Sequence, residues 1–458
     1  DGMPCFKGWT NSAEYVGTLV AISYSLSYWW RTPIFVLPPH VLQQHIGSIF
    51  GKDLDLQTGF SLAYTLGFGL AKPPGVVFMT GQKFRDNRLP VLVSLLIGSM
   101  LFEGAGIRFF PHVPWAQVVC VFISTFMQSW LYGGMFSYLE GRGTTEVLLA
   151  VMTFLFIFAG PASRATARWV VESGFPATNM PLASGLVACF ISVVCLVVAD
   201  RSPLSSPSAD DISQRGARKG SSIHEKIEFM GQYTLGVACM VGSLALLAAL
   251  RSYRDFYGQD IFTSALGLTA PPPSLFFFLV DLPGSLCSCL SILFFKRFVH
   301  NSSALLAMMT VAGLSVLGLL GSTLLFQCAA ISGQWWCVLV GLCIYVGYGI
   351  MSGPWYDRMV GATGINGTCT FLIFISDGSG YVGTIMLLIY ETFFKAKHGP
   401  GLARASEDRL GMFLTFIYLC CILILVMLLI GSSYFKRVLG PPSDPSTSAE
   451  EVRPLRGS

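Results

Sequence analysis

The sequence predicts an all-α membrane protein with twelve membrane-spanning helices arranged as two halves of six. Of the 458 residues, 53% are hydrophobic and 12% are charged, whereas about 25% of residues are charged in a typical soluble domain. The mean hydropathy is +0.62. The apolar stretches are long enough for helices to cross a bilayer core of about 30 Å. They lack the short alternating pattern of membrane β-barrel strands.

The spans follow one another closely except at the middle of the chain. In order, we predict spans at 14–38, 58–80, 90–110, 115–139, 145–170, 180–199, 229–256, 273–296, 303–327, 333–354, 366–393 and 409–434. The segment RSPLSSPSADDISQRGARKGSSIHEK, after the sixth span, is rich in Ser, Pro and charged residues, which is typical of a solvated linker. The predicted organisation is therefore an N-terminal half over 1–200, a cytoplasmic linker over 201–228, a C-terminal half over 229–436 and a disordered cytoplasmic tail over 437–458.

The loop Lys and Arg residues predict the orientation of the chain. If the N-terminus is cytoplasmic, the cytoplasmic segments hold most of these cations, and the opposite side holds Lys52, Arg108, Lys395, Lys397, Arg404 and Arg409. Cytoplasmic loops of membrane proteins carry such an excess of positive residues. We therefore expect a multi-pass membrane protein with both termini in the cytoplasm.

Charged residues interrupt several of the predicted spans. The cations are Arg31, Lys72, Arg164, Arg168, Arg251 and Arg254, and the acids are Glu103, Asp281 and Asp377. Each charge near the bilayer centre costs about 2.5–3.5 kcal/mol on insertion scales, so such side chains should face the bundle interior or a wet cavity. For Glu103, Arg168 and Arg254, snorkelling to the membrane surface stays open as an alternative. It suits Arg31 and Lys72 poorly, because apolar residues extend for more than one helical turn on both sides.

Arg31 and Lys72 point to an anionic ligand. Arg31 lies in SYWWRTPIFVLPP, and Lys72 lies in GFGLAKPPG, where Pro73 and Pro74 should kink the helix. A guanidinium beside aromatic rings offers a planar pair of donors that suits carboxylate or phosphate oxygens. Cations without enough acidic partners would leave a positive central cavity, so we expect a small anion to bind there.

Asp281 and Asp377 have two interpretations that the residues alone leave open. Each carboxylate could form an ion pair with a cation and join two helices. Each could instead bind and release a proton during a transport cycle, as buried carboxylates in proton-coupled carriers do.

The chain has no sequence signature of an enzyme. It contains no Walker A, GxSxG or HExxH pattern, its six histidines do not cluster, and its thirteen cysteines form no CxxC pair. We expect no enzymatic activity, no cofactor and no metal site.

The 6+6 layout, the basic loop GQKFRDNRLP after the second span and the long central linker resemble the major facilitator superfamily. More narrowly, the segments resemble its organophosphate:inorganic phosphate antiporter branch, and EGRGTTE is similar to an uncharacterised, mostly bacterial group within the superfamily. The fifth span, TTEVLLAVMTFLFIFAGPASRATARW, has no histidine where that branch has one at its substrate site.

The resemblance implies specific substrate-binding residues. YWWRTPIFVLPP places Arg31 on the phosphate-binding arginine, and GFGLAKPPG matches Lys72. LLAALRSYRDF places the second arginine on Arg251, with Arg254 as the competing position, and FMQSWLYGG implies Gln128.

We expect a secondary transporter that moves a small organic anion, such as a phosphorylated metabolite, by rocking its halves around this site. The expected partners are that anion, a proton or phosphate as coupling ion, and the lipid bilayer, with no nucleic acid and a monomeric protein. The alternative is a transporter-like sensor that binds the anion without net flux. A weaker alternative is a lipid-handling membrane protein.

Overall fold

A computed structural model of the chain describes residues 13–49, 52–79, 81–139, 145–205, 223–363, 370–390 and 402–439. Both chain termini, most of the predicted linker and nearly all of the predicted tail lie outside the described residues. The last predicted linker residues begin a short helix, Ile223–Gln232.

The N-terminal half contains six long helices. They are α1 Ala13–Leu26, α2 Leu56–Phe78, α3 Arg88–Phe109, α4 Pro114–Phe136, α5 Thr145–Glu172 and α6 Met180–Asp200. Short helices at Tyr28–Arg31, Pro33–Val36 and Pro39–Leu42 follow α1, and another at Gln82–Asp86 precedes α3. A π-helical turn, Leu101–Ala105, interrupts α3.

The C-terminal half repeats this plan. Its helices are α7 Thr234–Phe256, α8 Ser274–Phe295, α9 Asn301–Gln327, α10 Gly333–Thr363, α11 Thr370–Ile389 and α12 Leu402–Val438. A short helix, Gly258–Ala265, follows α7. Ten of the twelve long helices have the length and apolar composition needed to cross a membrane within the described residues. The other two are α1, which is only 14 residues long, and α2, which carries Lys72 and several other polar side chains. Ten of the twelve predicted spans are thus confirmed as helices long and apolar enough to cross a membrane.

The first predicted span is not one continuous helix. It breaks after Leu26 and again after Arg31, where Thr32 ends the short helix Tyr28–Arg31. Pro33 has no backbone N–H to continue the hydrogen-bond ladder, and its ring excludes a regular helix at the preceding turn. Arg31 therefore lies at a helix end inside the bundle rather than on the side of a regular helix. In contrast, α2 continues through Pro73 and Pro74.

A β-hairpin that the sequence did not predict connects the first two spans. Strands β1 (His45–Ile49) and β2 (Lys52–Asp55) pair antiparallel. Asp55 then caps α2, because its carboxylate accepts a hydrogen bond of 2.7 Å from the Thr58 amide. We call this end of the bundle the loop end, and the end where α6 and α7 approach the linker the linker end.

The two halves pack against each other along two pairs of helices. Between α5 and α8, the rings of Phe158 and Phe278 lie 5.3 Å apart, edge to face. Between α2 and α11, the rings of Phe68 and Tyr381 stack at 5.0 Å. The charged side chains described next lie in the core between these contacts.

Candidate functional site

Two adjoining cavities lie between the halves and share Tyr28, Arg31, Arg251 and Tyr381 in their walls. The volume is about 30 Å³ in the cavity nearer the linker end and about 40 Å³ in the other. One water needs about 10–15 Å³ by this measure. The cavities therefore have room for a few waters in this conformation.

Arg31 lies in the wall of both cavities among aromatic rings. Its guanidinium carbon is 3.9 Å from the Tyr28 ring centroid, 5.1 Å from that of Phe68 and 5.8 Å from that of Tyr64. The residue is 5% exposed, and its Nε has no hydrogen-bond partner. None of the described carboxylates forms a salt bridge with it. A buried charge without a counter-charge is costly. An anion that paired with Arg31 would reduce this cost.

Arg251 approaches the same cavities from the other half. Its guanidinium carbon is 4.5 Å from the Tyr348 ring centroid. Its Nε is 3.6 Å from the Asp255 carboxylate, a longer separation than in a tight ion pair. Arg251 on α7 and Arg31 after α1 line both cavities, so each half contributes one arginine to the shared wall. Arg164 of the N-terminal half lines only the cavity nearer the loop end.

Arg254 has a different environment from Arg251. Its Nη2 donates to Asp281 at 2.6 Å, and both side chains are 2% exposed. Tyr345 also donates to Asp281, at 3.3 Å. From the N-terminal half, Arg164 pairs with Asp255 at 3.0 Å and approaches Asp281 at 3.7 Å. Arg254 is thus held in a buried ion pair and does not line either cavity.

Lys72 lines the cavity nearer the linker end and pairs with Asp377, also a lining residue, at 3.2 Å. The same ammonium donates to the carbonyl of Ser129 at 3.3 Å. Because α2 and α11 belong to different halves, this ion pair joins them.

Gln128 lines the cavity nearer the linker end, and its amide Nε2 donates to Glu103 at 2.9 Å and to Ser124 at 2.8 Å. Glu103 is 0% exposed, and Arg254 is buried in its ion pair. Burial excludes the snorkelling interpretation for both residues. Arg168 lies near the loop end, where it pairs with Glu172 at 2.8 Å.

The charged side chains that line the two cavities or pair beside them sum to an excess of positive charge. The cations are Arg31, Lys72, Arg164, Arg251 and Arg254, and the carboxylates are Glu103, Asp255, Asp281 and Asp377. Five cations against four carboxylates leave one positive charge even when every carboxylate is ionised. We had not singled out Asp255, although its position four residues after Arg251 is the spacing of a helical ion pair.

Backbone carbonyls near the loop end accept hydrogen bonds across the two halves. Gln57 on α2 donates to the carbonyl of Phe256 at 3.1 Å. Gln259 donates in the opposite direction, to the carbonyl of Phe35 at 2.8 Å.

Arg409 on α12 joins the same region. It forms an ion pair with Asp260, donates to Gln57 at 3.0 Å and lies 3.7 Å from Asp55. We call Asp55, Gln57, Gln259, Asp260 and Arg409 the loop-end cluster. Of these five residues, only Arg409 was singled out in the sequence, as a loop cation on the side opposite the cytoplasm.

Solved structures with the same fold are transporters. A bacterial homologue of the human lysosomal transporter Spinster has a TM-score of 0.59 at 12% identity, and the match covers 94% of this chain and 99% of that one. The nucleoside transporter NupG has a TM-score of 0.57 at 14% identity, covering 91% and 98%. A bacterial homologue of the iron transporter ferroportin has a TM-score of 0.56 at 13% identity, covering 91% and 98%. These likenesses confirm the major facilitator fold of an all-α membrane protein.

Among curated proteins, none matches this chain. A protein-family model matches residues 46–438, which span both halves and every charged residue of the core except Arg31. The chain belongs to the family described as "Family of unknown function (DUF5690)".

Proposed function

We propose that this protein is a secondary transporter of a small organic anion, which binds between the two halves and crosses the membrane by alternating access. The observation that carries the proposal is Arg31, a buried cation in the cavity wall that has no salt bridge to a described carboxylate. Arg251 lies on the facing half, so an anion at the centre would contact both halves at once. That contact differs between the open and closed states, which is the requirement for a ligand to shift their populations.

The excess positive charge also argues against a metal cation as the substrate. The structural neighbours include transporters named for nucleosides and for iron. A metal cation would meet the excess positive charge of this core, and the described residues contain no group of three His, Cys, Asp or Glu side chains that could hold a metal. A carboxylate or phosphate group matches the two arginines better, since guanidinium groups bind such oxygens bidentately. Phosphorylated metabolites belong to this class, as the resemblance to organophosphate carriers implies.

Arg31 and Arg251 are the primary anion-binding groups of the proposal. Lys72 and Gln128 line the same cavity, but Asp377 neutralises the charge of Lys72, and the amide nitrogen of Gln128 already donates to Glu103 and Ser124. Arg254 supports the site by holding Asp281 in place.

The test is uptake of labelled anions by purified protein in liposomes. The probes are inorganic phosphate, glycerol 3-phosphate, glucose 6-phosphate, succinate and benzoate, each measured with Arg31→Ala, Arg251→Gln and a control, Arg297→Ala. Arg297 is an exposed cation outside the cavity. We expect saturable uptake of at least one probe by the wild type and by Arg297→Ala, and a loss of about tenfold or more in both site variants, since a lost charge-assisted hydrogen bond costs about 1.5–3 kcal/mol.

Two results would contradict the proposal. Uptake that is unchanged in both Arg31→Ala and Arg251→Gln would exclude the arginine site. Stabilisation of the wild type by a probe, without flux of any probe, would instead identify an anion sensor.

A further inference from the structure

Glu103 lies at an irregular place in α3. The helix widens into a π-helical turn at Leu101–Ala105, and such turns are frequent at functional sites. The side chain is 0% exposed. Its Oε2 accepts hydrogen bonds from Ser124 at 2.7 Å and from Gln128 at 2.9 Å.

Two oxygen atoms beside these bonds have no partner. Glu103 Oε1 and Gln128 Oε1 are both buried and accept no hydrogen bond from the described residues. None of the described cations forms a salt bridge with Glu103. An ionised carboxylate in this place is a buried charge without a counter-ion, which is unfavourable. A proton on the carboxyl group removes that buried charge.

The polar groups around Glu103 suit a proton rather than a metal ion. The Ser124 hydroxyl and the Gln128 amide both turn their hydrogens toward Oε2, and these donors would repel a cation there. Metal ions of the alkali and alkaline-earth type need several oxygen ligands at once. A proton needs one.

The charges facing Glu103 come chiefly from one residue. The segment Tyr28–Arg31, α4 and α6 pack against the turn, and their titratable side chains are Tyr28, Arg31, Cys120, Tyr132, Cys189, Cys195 and Asp200. Asp200 pairs with Arg88 at 3.3 Å near the linker end, and Arg108 of α3 is exposed. Tyr64 of α2 also interacts with Glu103. Arg31 is the cation whose field favours the ionised carboxylate.

We propose that Glu103 is the proton-binding group of this carrier, and that an anion at Arg31 and a proton at Glu103 bind together. An anion that neutralises Arg31 removes the positive field that favours ionised Glu103, so it strengthens proton binding. By linkage, a proton on Glu103 strengthens anion binding by the same factor. Gln128 connects the two places, because it lines the cavity and holds the Glu103 carboxylate. This inference rests on the proposed function and predicts symport of one proton with the anion.

The experiment compares two transport modes in liposomes, using whichever of the five probe anions the wild type takes up fastest. Counterflow exchanges labelled for unlabelled probe at equal pH and needs no net proton movement. Gradient-driven uptake applies a difference of about one pH unit with the membrane potential clamped. That gradient accumulates a singly charged anion about tenfold in 1:1 symport, because one pH unit is equivalent to a tenfold ratio.

We expect Glu103→Gln to retain counterflow and to lose gradient-driven accumulation, while the control Glu228→Gln keeps both. Glu228 is an exposed carboxylate on the short helix before α7. Accumulation by Glu103→Gln at the wild-type level would overturn the inference. Accumulation that follows a sodium gradient and depends on Glu103 would overturn it too, because the site would then bind a metal ion.

A second measurement separates this inference from the proposed function. Infrared difference spectra during a pH titration report the carbonyl stretch of a protonated carboxylic acid directly, without any substrate. We expect a titrating band that Glu103→Gln removes. If that band is present but no probe is transported, the proposed function fails and the proton site stands. Transport without the band means that Glu103 does not bind the proton.

A folding defect in Glu103→Gln would not leave the question open. Ser124→Ala removes one donor to the carboxylate and keeps the carboxyl group, so it should move the pH dependence of transport to higher pH. If Glu103→Gln does not fold, an unchanged pH dependence of transport in Ser124→Ala overturns the inference.

Discussion

Lys72 on α2 and Asp377 on α11 form a salt bridge of 3.2 Å that joins the two halves at the wall of the central cavity. The two residues are 305 positions apart in the sequence, so the pair forms only when the halves dock. Separation of α2 from α11 breaks it. The pair therefore stabilises the conformation in which both cavities are small.

Exchanging the two residues of this pair tests whether its ionic attraction, rather than the packing of its side chains, stabilises the protein. Asp377→Asn leaves Lys72 buried without a counter-ion, and we expect a loss of about 3 kcal/mol of stability. The exchange Lys72→Asp with Asp377→Lys should recover much of that loss, measured by thermal unfolding in detergent. Equal destabilisation by the single variant and by the exchange would show that the ionic attraction is not what holds these helices.

Arg251 and Arg254 should respond oppositely to the same substitution. Arg254→Gln leaves Asp281 without its closest cation, 2.6 Å away, in a fully buried place, so we expect a stability loss of about 3–5 kcal/mol. Arg251→Gln removes a looser contact, so it should change stability little and reduce probe-anion affinity about tenfold. Thermal unfolding with and without the probe anion measures both effects. If Arg254→Gln were the variant that lost anion affinity without losing stability, our assignment of the two arginines would be reversed.

The loop-end cluster should hold that end of the bundle closed. Arg409→Ala removes the cation shared by Asp260, Gln57 and Asp55, so conformations open at the loop end should become more populated. Spin labels at Val113 and Leu268, both exposed near that end, would report longer distances by pulsed electron paramagnetic resonance after replacement of the native cysteines.

The control for this change is Arg437→Ala, an exposed cation at the opposite end of α12. It should leave the distance distribution unchanged. A distribution that is the same in Arg409→Ala as in the parent protein would mean that the cluster contributes nothing to closure.

Gly133 should be required for closure at the linker end. A Cβ atom there would lie 2.3 Å from the Phe374 ring of α11, which is well inside van der Waals contact, so even Gly133→Ala must push α4 away from α11. We expect spin labels at Lys83 and Val299, exposed near the linker end, to move apart. Gly231→Ala has no atom within 4 Å of its new Cβ and should change nothing. Identical distances in Gly133→Ala and Gly231→Ala would indicate that Phe374 moves aside without opening the halves.

Helix number and placement were predictable because membrane crossing imposes a local rule. A span must be apolar over its whole length, so the sequence marks its own helices, and most predicted bounds lie within a few residues of the observed ones. The break before Pro33 was less visible, because α2 continues through Pro73 and Pro74, so a proline alone does not decide where a helix ends. The orientation of the termini stays a prediction, because it depends on which side of the membrane each end of the bundle faces.

The partners of the buried charges could not be read from the sequence. Arg251 and Arg254 are three residues apart on the same helix, and only the direction in which each side chain leaves α7 places one at the cavity and the other on Asp281. The same is true of Glu103, whose contacts come from Ser124 and Gln128 on another helix.

The sequence by itself showed several cations within apolar spans. Because such charges are costly in the bilayer, it also determined that the bundle has a polar centre. Tertiary structure decided which of these charges neutralise one another and that Arg31 has no described carboxylate to pair with. The physical reason is that the two properties depend on different parts of the chain. Hydrophobicity is a property of each segment alone, whereas ion pairs form within about 4 Å between helices that are far apart in the chain.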